Sequence, residues 1–417
     1  MLGGLGVGAG VTVTTLLAFE LSGSAALAGI AASASAFGAG VFAAAIGALS
    51  RFGRRPGLVG GYLVGLLGAS TAVVSAVLGV FPLMVAATFL FGASNASNLQ
   101  ARYAATDLAS ADRRGSDLSI VVWATTVGAV LGPNLTGPGV AAAELLGVPE
   151  LSGPYLLSAA GFASAALVLL LGLRPDPLLL ARELVGEQPG TEGAVVATVR
   201  RRGTMATGLA AVAADPSARA AVATIASAHA VMVGVMVMTP VHMGHHGADV
   251  RIIGLTISLH IFGMYAFSPV FGRLTDRLGA RPVLGLGLAQ LVGAVAFSAL
   301  STPQGGAGFI GGLLLLGTGW SAALIASSAL LTASLPLDAR APAQGLSDLA
   351  MNVAGGSAGA LSGLSMTLLG FPLMAATTVM LLLAPALMVL ADVGRQRRVA
   401  PVRTLPRPER LGHTAPP

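Results

Sequence analysis

A seven-residue pattern occurs twice in this chain, and its repetition decides the fold. Residues 50–56 read SRFGRRP and residues 276–282 read DRLGARP, at a fixed offset of 226 residues. Each copy follows the second apolar run of its half of the chain. Two halves related in this way are typical of membrane transporters built from parallel repeats, which bind their substrate between the halves near the middle of the bilayer.

The apolar runs around these two copies are long enough to cross a membrane. The chain has 417 residues, of which 54% are hydrophobic and 10% charged, whereas soluble domains carry about 25% charged residues. A membrane helix needs about 20 apolar residues, so the sequence predicts an all-α membrane protein with about twelve transmembrane helices in two six-helix pseudo-repeats. The predicted spans are 2–20, 25–49, 57–79, 82–104, 118–140, 153–173, 219–240, 251–271, 283–300, 308–333, 346–369 and 372–392.

Arginine is distributed unevenly between the loops that join these spans. All 23 cationic residues are Arg, and alternate loops hold nearly all of them. Cytoplasmic loops of membrane proteins carry an excess of Lys and Arg. The sequence therefore predicts a multi-pass membrane protein with both termini and the long central loop in the cytoplasm. The Arg-rich loops hold Arg51, Arg54, Arg55, Arg113, Arg114, Arg273, Arg277, Arg281, Arg340, Arg395, Arg397 and Arg398, besides the stretch 174–202.

A long central loop separates six predicted spans from the other six. The predicted parts are an N-terminal six-helix half at 1–173, a cytoplasmic central loop at 174–218, a C-terminal six-helix half at 219–392, and a basic, disordered cytoplasmic tail at 393–417. Within the central loop, residues 178–185 are interpreted either as a short amphipathic helix on the membrane surface or as a solvated linker.

The composition excludes several classes of chemistry. The chain has no cysteine, which rules out disulfides, thiolate metal sites and cysteine nucleophiles. Neither a nucleophile–base pair nor a phosphate-binding loop is visible, so an enzyme is not expected and no prosthetic group is predicted. The pI of about 10.8 is explained by Arg in short loops rather than by a nucleic acid partner. The lipid bilayer is the expected environment, and a monomer is plausible.

The loop between the eighth and ninth predicted spans carries a recognisable motif. Residues 272–281 read GRLTDRLGAR and resemble the major facilitator superfamily motif G-x-L-x-D-R-x-G-R-R. In the first copy, Ile46 and Ser50 stand where that motif has Gly and Asp. The resemblance implies that this loop gates the transporter through charge contacts with neighbouring helix ends. The residues that the resemblance assigns to gating are Asp276, Arg277, Gly279, Arg281, Arg51 and Arg55.

Histidine and methionine are concentrated in one region of the second half. Five of the six histidines lie between residues 229 and 260. His229, Met232 and Met236 are spaced i, i+3, i+7 and share one face of the seventh span. His260 and Met264 lie one turn apart on the eighth span. At about 1.5 Å of rise per residue, Met232 and His260 are expected at a similar depth near the bilayer centre.

These side chains favour copper as the transported substrate. Thioether sulfur prefers Cu(I), and imidazole suits copper in either oxidation state. The sequence therefore predicts a series of soft ligands that leads inward from a His-rich outer mouth on facing helices. The residues that position and chemistry suggest for capture or relay of the ion are His229, His242, Met243, His245 and His246.

A second resemblance supports the same substrate. Met232-x3-Met236 and His260-x3-Met264 resemble the paired Met-x3-Met and His-x3-Met motifs of the CcoA-like bacterial copper importers, a branch of the major facilitator superfamily. The resemblance implies that these four residues are the copper ligands. It also implies import of copper that supplies the assembly of cbb3-type cytochrome c oxidase.

Other interpretations of these residues remain open. Methionines in apolar spans often serve only packing, and the outer histidines could lie in a solvated loop. The main alternative function is a proton-coupled exporter of small organic molecules, which the Gly-Pro element at 128–138 favours. A metal sensor on a transporter fold is a third interpretation. The repeat offset also places Ala34 and Gly38 opposite His260 and Met264, where small residues would leave room for the ion.

Overall fold

The computed structural model describes residues 1–110, 112–132, 135–186, 205–248, 250–301 and 306–399. All regular secondary structure within these residues is helical. The first half contains α1 (Leu2–Ser22), α2 (Ala25–Leu49), α3 (Arg54–Leu78), α4 (Phe81–Ala104), α5 (Arg114–Leu131), α6 (Thr136–Leu146) and α7 (Gly153–Gly172). Two short helices follow, α8 (Pro177–Gly186) and α9 (Met205–Ala214). The second half contains α10 (Pro216–His245), α11 (Val250–Tyr265), α12 (Ser268–Leu278), α13 (Ala280–Leu300), α14 (Ala307–Ser334), α15 (Leu337–Thr378) and α16 (Leu383–Val399).

The membrane crossings agree with the predicted spans. Nine stretches of the described residues are long and apolar enough to cross a membrane. One of them, Leu337–Arg395, holds two spans that separate at a kink in α15. Helix α4 and the pair α5 and α6 complete the twelve crossings. Helix α4 is less apolar than the others because it carries Asn95, Asn98, Gln100 and Arg102. The prediction of an all-α membrane protein with two groups of six helices is confirmed.

Helix ends follow from local sequence. Asp215 precedes Pro216, and its carboxylate accepts the backbone N–H of Ala218 at 2.7 Å, which begins α10. Gly370 has φ 72° and ψ 164°, a left-handed conformation that favours glycine, and it separates the last two predicted spans. Of the two interpretations of residues 178–185, the structure shows the short helix, which is α8. The last helix extends to Val399, past the predicted start of the tail, and residues 400–417 lie outside the described residues.

The fifth predicted span consists of two helices. Helix α5 ends at Leu131 and α6 begins at Thr136. A proline follows Gly132 in the sequence, and proline removes a backbone donor and ends helices. Gly128 and Gly132 lie directly against Gly4 and Gly8 of α1, and a Cβ on Gly8, Gly128 or Gly132 would collide with opposing backbone. The glycines of the Gly-Pro element therefore allow α1 and α5 to pack closely.

Each half has its own apolar core. In the first half, Phe91 stands edge-on to Tyr155 and to Phe162, with ring centroids 5.7 and 5.2 Å apart. In the second half, α14 is central, and residues 319–328 along it are almost all buried. The most extensive contacts between the halves are those of α2 with α15 and of α5 with α12, and smaller ones join α5 to α11 and α14 and α4 to α15. The space between the halves is therefore bounded by elements of both.

Candidate functional site

A cavity of about 350 Å³ lies between the two halves. Among the described residues, none of the side chains that line it is Asp, Glu, Lys or Arg. A buried ion would need a charged partner there, so the lining is suited to an uncharged solute or to a metal ion held by neutral ligands. The lining residues are Val11, Thr14, Thr15, Ala32, Ser35, Ala36, Asn95, Asn98, Leu99, Thr125, His229, Met264, Tyr265, Trp320 and Asn352.

The second half supplies an aromatic group to this cavity. The indole N–H of Trp320 on α14 donates to Nδ1 of His229 on α10 at 2.9 Å. The same indole stands edge-on to Tyr265, with ring centroids 5.9 Å apart and planes at 82°. Trp320 is 2% exposed, so it lies behind the other two rings and holds both. His229 also packs against Gly355 of α15, where a Cβ would collide with the imidazole.

The predicted copper ligands occupy different environments. Met264 lines the cavity, as does His229, whereas Met232 and His260 are buried outside its lining. Nδ1 of His260 lies 2.9 Å from the carbonyl oxygen of Leu313, and Nε2 has no hydrogen-bond partner. Met236 is partly buried against the core of the second half.

The helices that carry these residues, α10 and α11, share only a small contact with each other. Helix α10 packs mainly along α15 and to a lesser extent along α14, whereas α11 packs mainly along α14. Gly317 of α14 lies against the backbone of His260 and Met264, so α11 approaches α14 closely. Within the described residues, no group of three or more His, Cys, Asp or Glu could hold a metal ion. The copper site stays a prediction.

The small residues expected opposite the ligands have another role. A Cβ on Gly38 would collide with the backbone of Phe89 on α4. Gly38 therefore serves the contact between α2 and α4, and it does not leave room for an ion. Ala34, on the same helix, is also not among the lining residues of the cavity.

The outer histidines are only partly in a loop. Helix α10 continues through His245, beyond the predicted end of its span at 240. The ring of His242 stacks on Phe371 with centroids 4.1 Å apart and planes at 7°, and Met243 is fully buried. His245 and His246 are exposed. His242 and Met243 thus pack in the core of the second half because Phe371 covers this end of α10, and they do not form an open mouth.

Asp276 joins the two halves, as a gating role requires. Its carboxylate accepts the backbone N–H groups of Gly115 at 2.7 Å and Ser116 at 2.8 Å, and the Ser116 hydroxyl at 2.6 Å. Gly115 and Ser116 begin α5 in the first half, while Asp276 belongs to α12 in the second. A carboxylate at a helix N-terminus satisfies free N–H groups and the helix dipole.

Two further polar contacts cross between the halves near the same end. Arg102 of α4 forms an ion pair with Asp348 of α15 at 2.6 Å, and both side chains are 1% exposed. Arg54 binds Asp107 through two nitrogens, at 2.7 and 2.9 Å, and donates to Oε1 of Gln344 on α15 at 2.7 Å.

Backbone packing adds to these contacts. A Cβ on Gly345 of α15 would lie 2.8 Å from the carbonyl oxygen of Ala43 on α2, so the two helices touch there. We call this set of contacts, made by Asp276, Arg102, Arg54 and Gly345, the basic-end seam, because the Arg-rich loops lie at this end. The two halves are therefore joined at the basic end.

The other predicted gating residues act within one half or lie at the surface. Arg281 binds Asp392 at 2.6 Å and the Ser217 hydroxyl at 2.9 Å, all in the second half.

The remaining predicted gating residues make local contacts or are exposed. The backbone N–H of Arg55 donates to Asp176, which precedes α8, at 2.8 Å. The guanidinium of Arg51 lies 4.6 Å from the ring centre of Phe52. Arg277 is exposed, and Gly279 has φ 87° where α12 gives way to α13.

Sequence reasoning missed Arg102 and Arg54 as residues of the seam. Arg102 lies inside a predicted span, and an ionisable residue within a membrane helix marks a functional site by default. This signal was present for Arg102. In the first motif copy, Ser50 stands at the position of Asp276, and its hydroxyl donates to the carbonyl of Gly47 on α2 rather than to the other half. The contact between the halves near this copy is made by Arg54 instead.

Known proteins resemble this chain over most of its length. The profile of the Major Facilitator Superfamily matches residues 1–249 and again residues 220–414. Two uncharacterized MFS-type transporters of Bacillus subtilis (strain 168), YddS and YdeG, are each 38% identical to it over 87% of the chain, and the matches cover 81% and 82% of their own lengths. The riboflavin transporter RfnT of Brucella anthropi is 30% identical over 73% of the chain and 70% of its own length.

Solved structures share the fold. The Major Facilitator Superfamily transporter FucP in the outward conformation superposes with a TM-score of 0.71 at 15% identity, covering 94% of this chain and 97% of FucP. The proton:xylose symporter XylE gives a TM-score of 0.67 at 16% identity, covering 94% and 93%. At these identities the likeness concerns the fold alone.

Proposed function

Because the chain belongs to the major facilitator superfamily, we propose that it is a transporter that carries a small uncharged organic molecule across a membrane. The observation that supports this substrate best is the cavity between the halves, which has hydroxyl, amide and aromatic lining and no charged side chain among the described residues. Its volume of about 350 Å³ falls in the range of about 300–1,000 Å³ typical of small-molecule sites.

The basic-end seam supports transport by alternating access. The contacts of Asp276, Arg102 and Arg54 join the halves at one end of the cavity. For a solute to leave at that end, these contacts must break and the halves must move apart. The Arg-rich loops favour an orientation in which this end, together with both termini, faces the bacterial cytoplasm. We propose that the chain acts as a monomer, without a prosthetic group and without enzymatic activity.

Copper import is the second candidate function. It is favoured by Met264 and His229, which bring a thioether and an imidazole to the same cavity. Met232 and His260 lie outside the lining, so a copper site of all four motif residues would need a rearrangement of α10 and α11. Supply of copper to the assembly of cbb3-type cytochrome c oxidase belongs to this candidate.

One experiment separates the two candidates. Ala32 lines the cavity, and Ala32→Trp would fill much of it. Ala160 is exposed on the outside of α7, so Ala160→Trp is a matched control that adds the same side chain. Cells that express the wild type, either variant or an empty vector at matched membrane abundance are compared. Organic solutes inside and outside the cells are measured by mass spectrometry, and cell copper by elemental analysis.

We expect at least one uncharged organic solute to change its distribution with the wild type and Ala160→Trp but not with Ala32→Trp. Copper content should be the same in all four strains. If copper content alone rises with the wild type and with Ala160→Trp, and is lost in Ala32→Trp, the organic-solute proposal is wrong and copper import takes its place.

A further inference from the structure

We infer that the transported molecule has a flat heteroaromatic ring with a hydrogen-bonding edge. This inference rests on the proposed function and deepens it. It follows from an unequal division of the cavity lining. The second half supplies the rings of His229, Tyr265 and Trp320, whereas the described part of the first half supplies no ring to the lining. The polar residues that the first half contributes to the lining are Thr14, Thr15, Ser35, Asn95, Asn98 and Thr125.

The aromatic side of the cavity is held in a fixed geometry. Trp320 lies between His229 and Tyr265, with ring centroids 5.9 Å from each. The indole N–H donates to His229 Nδ1, which fixes the imidazole ring and leaves its other nitrogen as the donor of the neutral form. Since Trp320 is 2% exposed while His229 and Tyr265 are half-buried, a ligand would contact the latter two. Trp320 is therefore a positioning residue.

The opposite side of the cavity can bind the edge of a heterocycle. Asn95 and Asn98 lie three residues apart on α4 and so share one face of that helix. The Tyr62 hydroxyl donates to Oδ1 of Asn98 at a long 3.5 Å, which leaves the Asn98 amide N–H groups for a ligand. The second half adds Asn352 of α15 to the lining, and this amide donates to the carbonyl of Asp348 at 2.8 Å, which leaves its Oδ1 as an acceptor. Amide donors and acceptors of this kind match ring carbonyl and ring N–H groups.

The absence of charged lining residues among those described, and the volume of the cavity, restrict the class of transported molecule further. A charged ring would be buried without a counter-ion, because no lining residue among those described is charged. A volume of about 350 Å³ suits a molecule of two or three fused rings with a short polar chain. Riboflavin, which the relative RfnT is named for transporting, belongs to this chemical class and is a suitable first probe.

The chain itself offers a clean assay, because it contains no cysteine. In Ala32→Cys, the single thiol lies in the cavity lining, and a bound ligand would shield it from an alkylating reagent. The full-length variant in lipid nanodiscs is treated with an uncharged maleimide in the presence of one of three probes. Riboflavin carries the ring and a polyol chain, lumichrome carries the ring without that chain, and ribitol carries the chain without the ring.

We expect riboflavin and lumichrome to slow alkylation of the thiol, and ribitol to leave the rate unchanged. Trp320→Leu in the same background should raise the half-protecting concentration of lumichrome about 2- to 10-fold, because His229 and Tyr265 lose the ring that holds them and an aromatic pair is worth about 0.5–1.5 kcal/mol. Trp123→Leu is the matched control, because Trp123 is exposed on α5 and does not line the cavity. The two variants together distinguish loss of the ring support from a general effect of losing a tryptophan.

The outcomes separate this inference from the proposed function. Protection by ribitol equal to that by lumichrome would overturn the aromatic class and leave organic-solute transport standing. A reactive thiol that none of the probes protects would also overturn the inference, while the solute measurements with Ala32→Trp judge the transport function independently. A thiol that never reacts from either side would show that the cavity is inaccessible, and both proposals would fail.

Discussion

Arg102 donates through Nε to the hydroxyl of Ser328 at 3.3 Å, and these two residues stand 226 positions apart. That is the same offset that relates the two copies of the loop motif. Residues that correspond in the two halves touch only where they lie close to the axis that relates the halves. Arg102 therefore lies near this axis, and its ion pair with Asp348 is at the centre of the basic-end seam.

Loss of Arg102 should weaken the protein more than loss of the whole pair. Arg102→Met leaves the carboxylate of Asp348 buried without its partner, which typically costs about 3–5 kcal/mol. Adding Asp348→Leu removes the unpaired charge and should recover most of the loss. The thermal unfolding midpoint in detergent measures this, with Arg273→Met at an exposed position as the control. A double variant no more stable than Arg102→Met would contradict a pairing role.

Asp276→Ala should open the seam between α5 and α12. The carboxylate caps the start of α5 through two backbone N–H groups, and loss of such a cap costs about 0.5–2 kcal/mol, or about 2- to 30-fold in the closed population. Alkylation of Ser327→Cys, which is 2% exposed next to the seam, should accelerate by a similar factor. Asp276→Asn keeps an acceptor and should lie between the two. Equal rates in Asp276→Ala and the wild-type background would argue against the cap as a gate.

Gly38→Ala should lower stability, and Gly29→Ala on the same helix should not. An added methyl at Gly38 meets the backbone of Phe89, whereas one at Gly29 has no neighbour within 4 Å. Overpacking of this kind costs about 1–3 kcal/mol, while alanine in an exposed helix position is neutral or stabilising. Folded yield and unfolding midpoint in detergent check both variants. If both behave alike, the contact of α2 with α4 is less close than described.

Met264→Leu and Met232→Leu distinguish the two substrate candidates without disturbing packing. Leucine has nearly the volume of methionine, so each substitution should cost less than about 1.5 kcal/mol. If the substrate is an organic solute, Met232→Leu should leave its binding unchanged, because Met232 does not line the cavity. Met264→Leu should then change the affinity for the solute slightly. For copper, loss of either thioether should reduce accumulated copper. Parallel measurements of copper content and of lumichrome protection decide between them.

Much of the fold could be predicted from apolar runs and glycine positions. The span predicted at 25–49 coincides with α2, and the break near Gly370 is a kink with positive φ. The interruption between α5 and α6 was not predicted, because the residues on both sides of Gly132 are apolar and hydropathy does not register a proline break. The extension of α10 to His245 was also missed. Polar histidines after an apolar run indicate a loop, and the sequence does not show that Phe371 stacks on His242.

The candidate site was less accessible to sequence reasoning. A gating role for Asp276 was predicted from the loop motif, and the structure shows that its carboxylate contacts α5 of the other half. The cavity lining combines side chains from both halves, and no spacing along the chain indicates that Asn98 and Trp320 share it. Helical spacing correctly placed His260 and Met264 on neighbouring turns, but it could not show that α14 lies against both helices of the predicted ligand set.

The two buried arginines of the seam differ in what they leave behind when the halves part. Arg54 keeps both bonds to Asp107 within its own half and releases only the neutral amide of Gln344. Arg102 must separate from Asp348, and that carboxylate has one oxygen already without a partner. Separation of Arg102 from Asp348 would then set the height of the barrier to turnover and the temperature dependence of the rate. The bond from Arg54 to Gln344 would break and reform in every cycle at little energetic penalty.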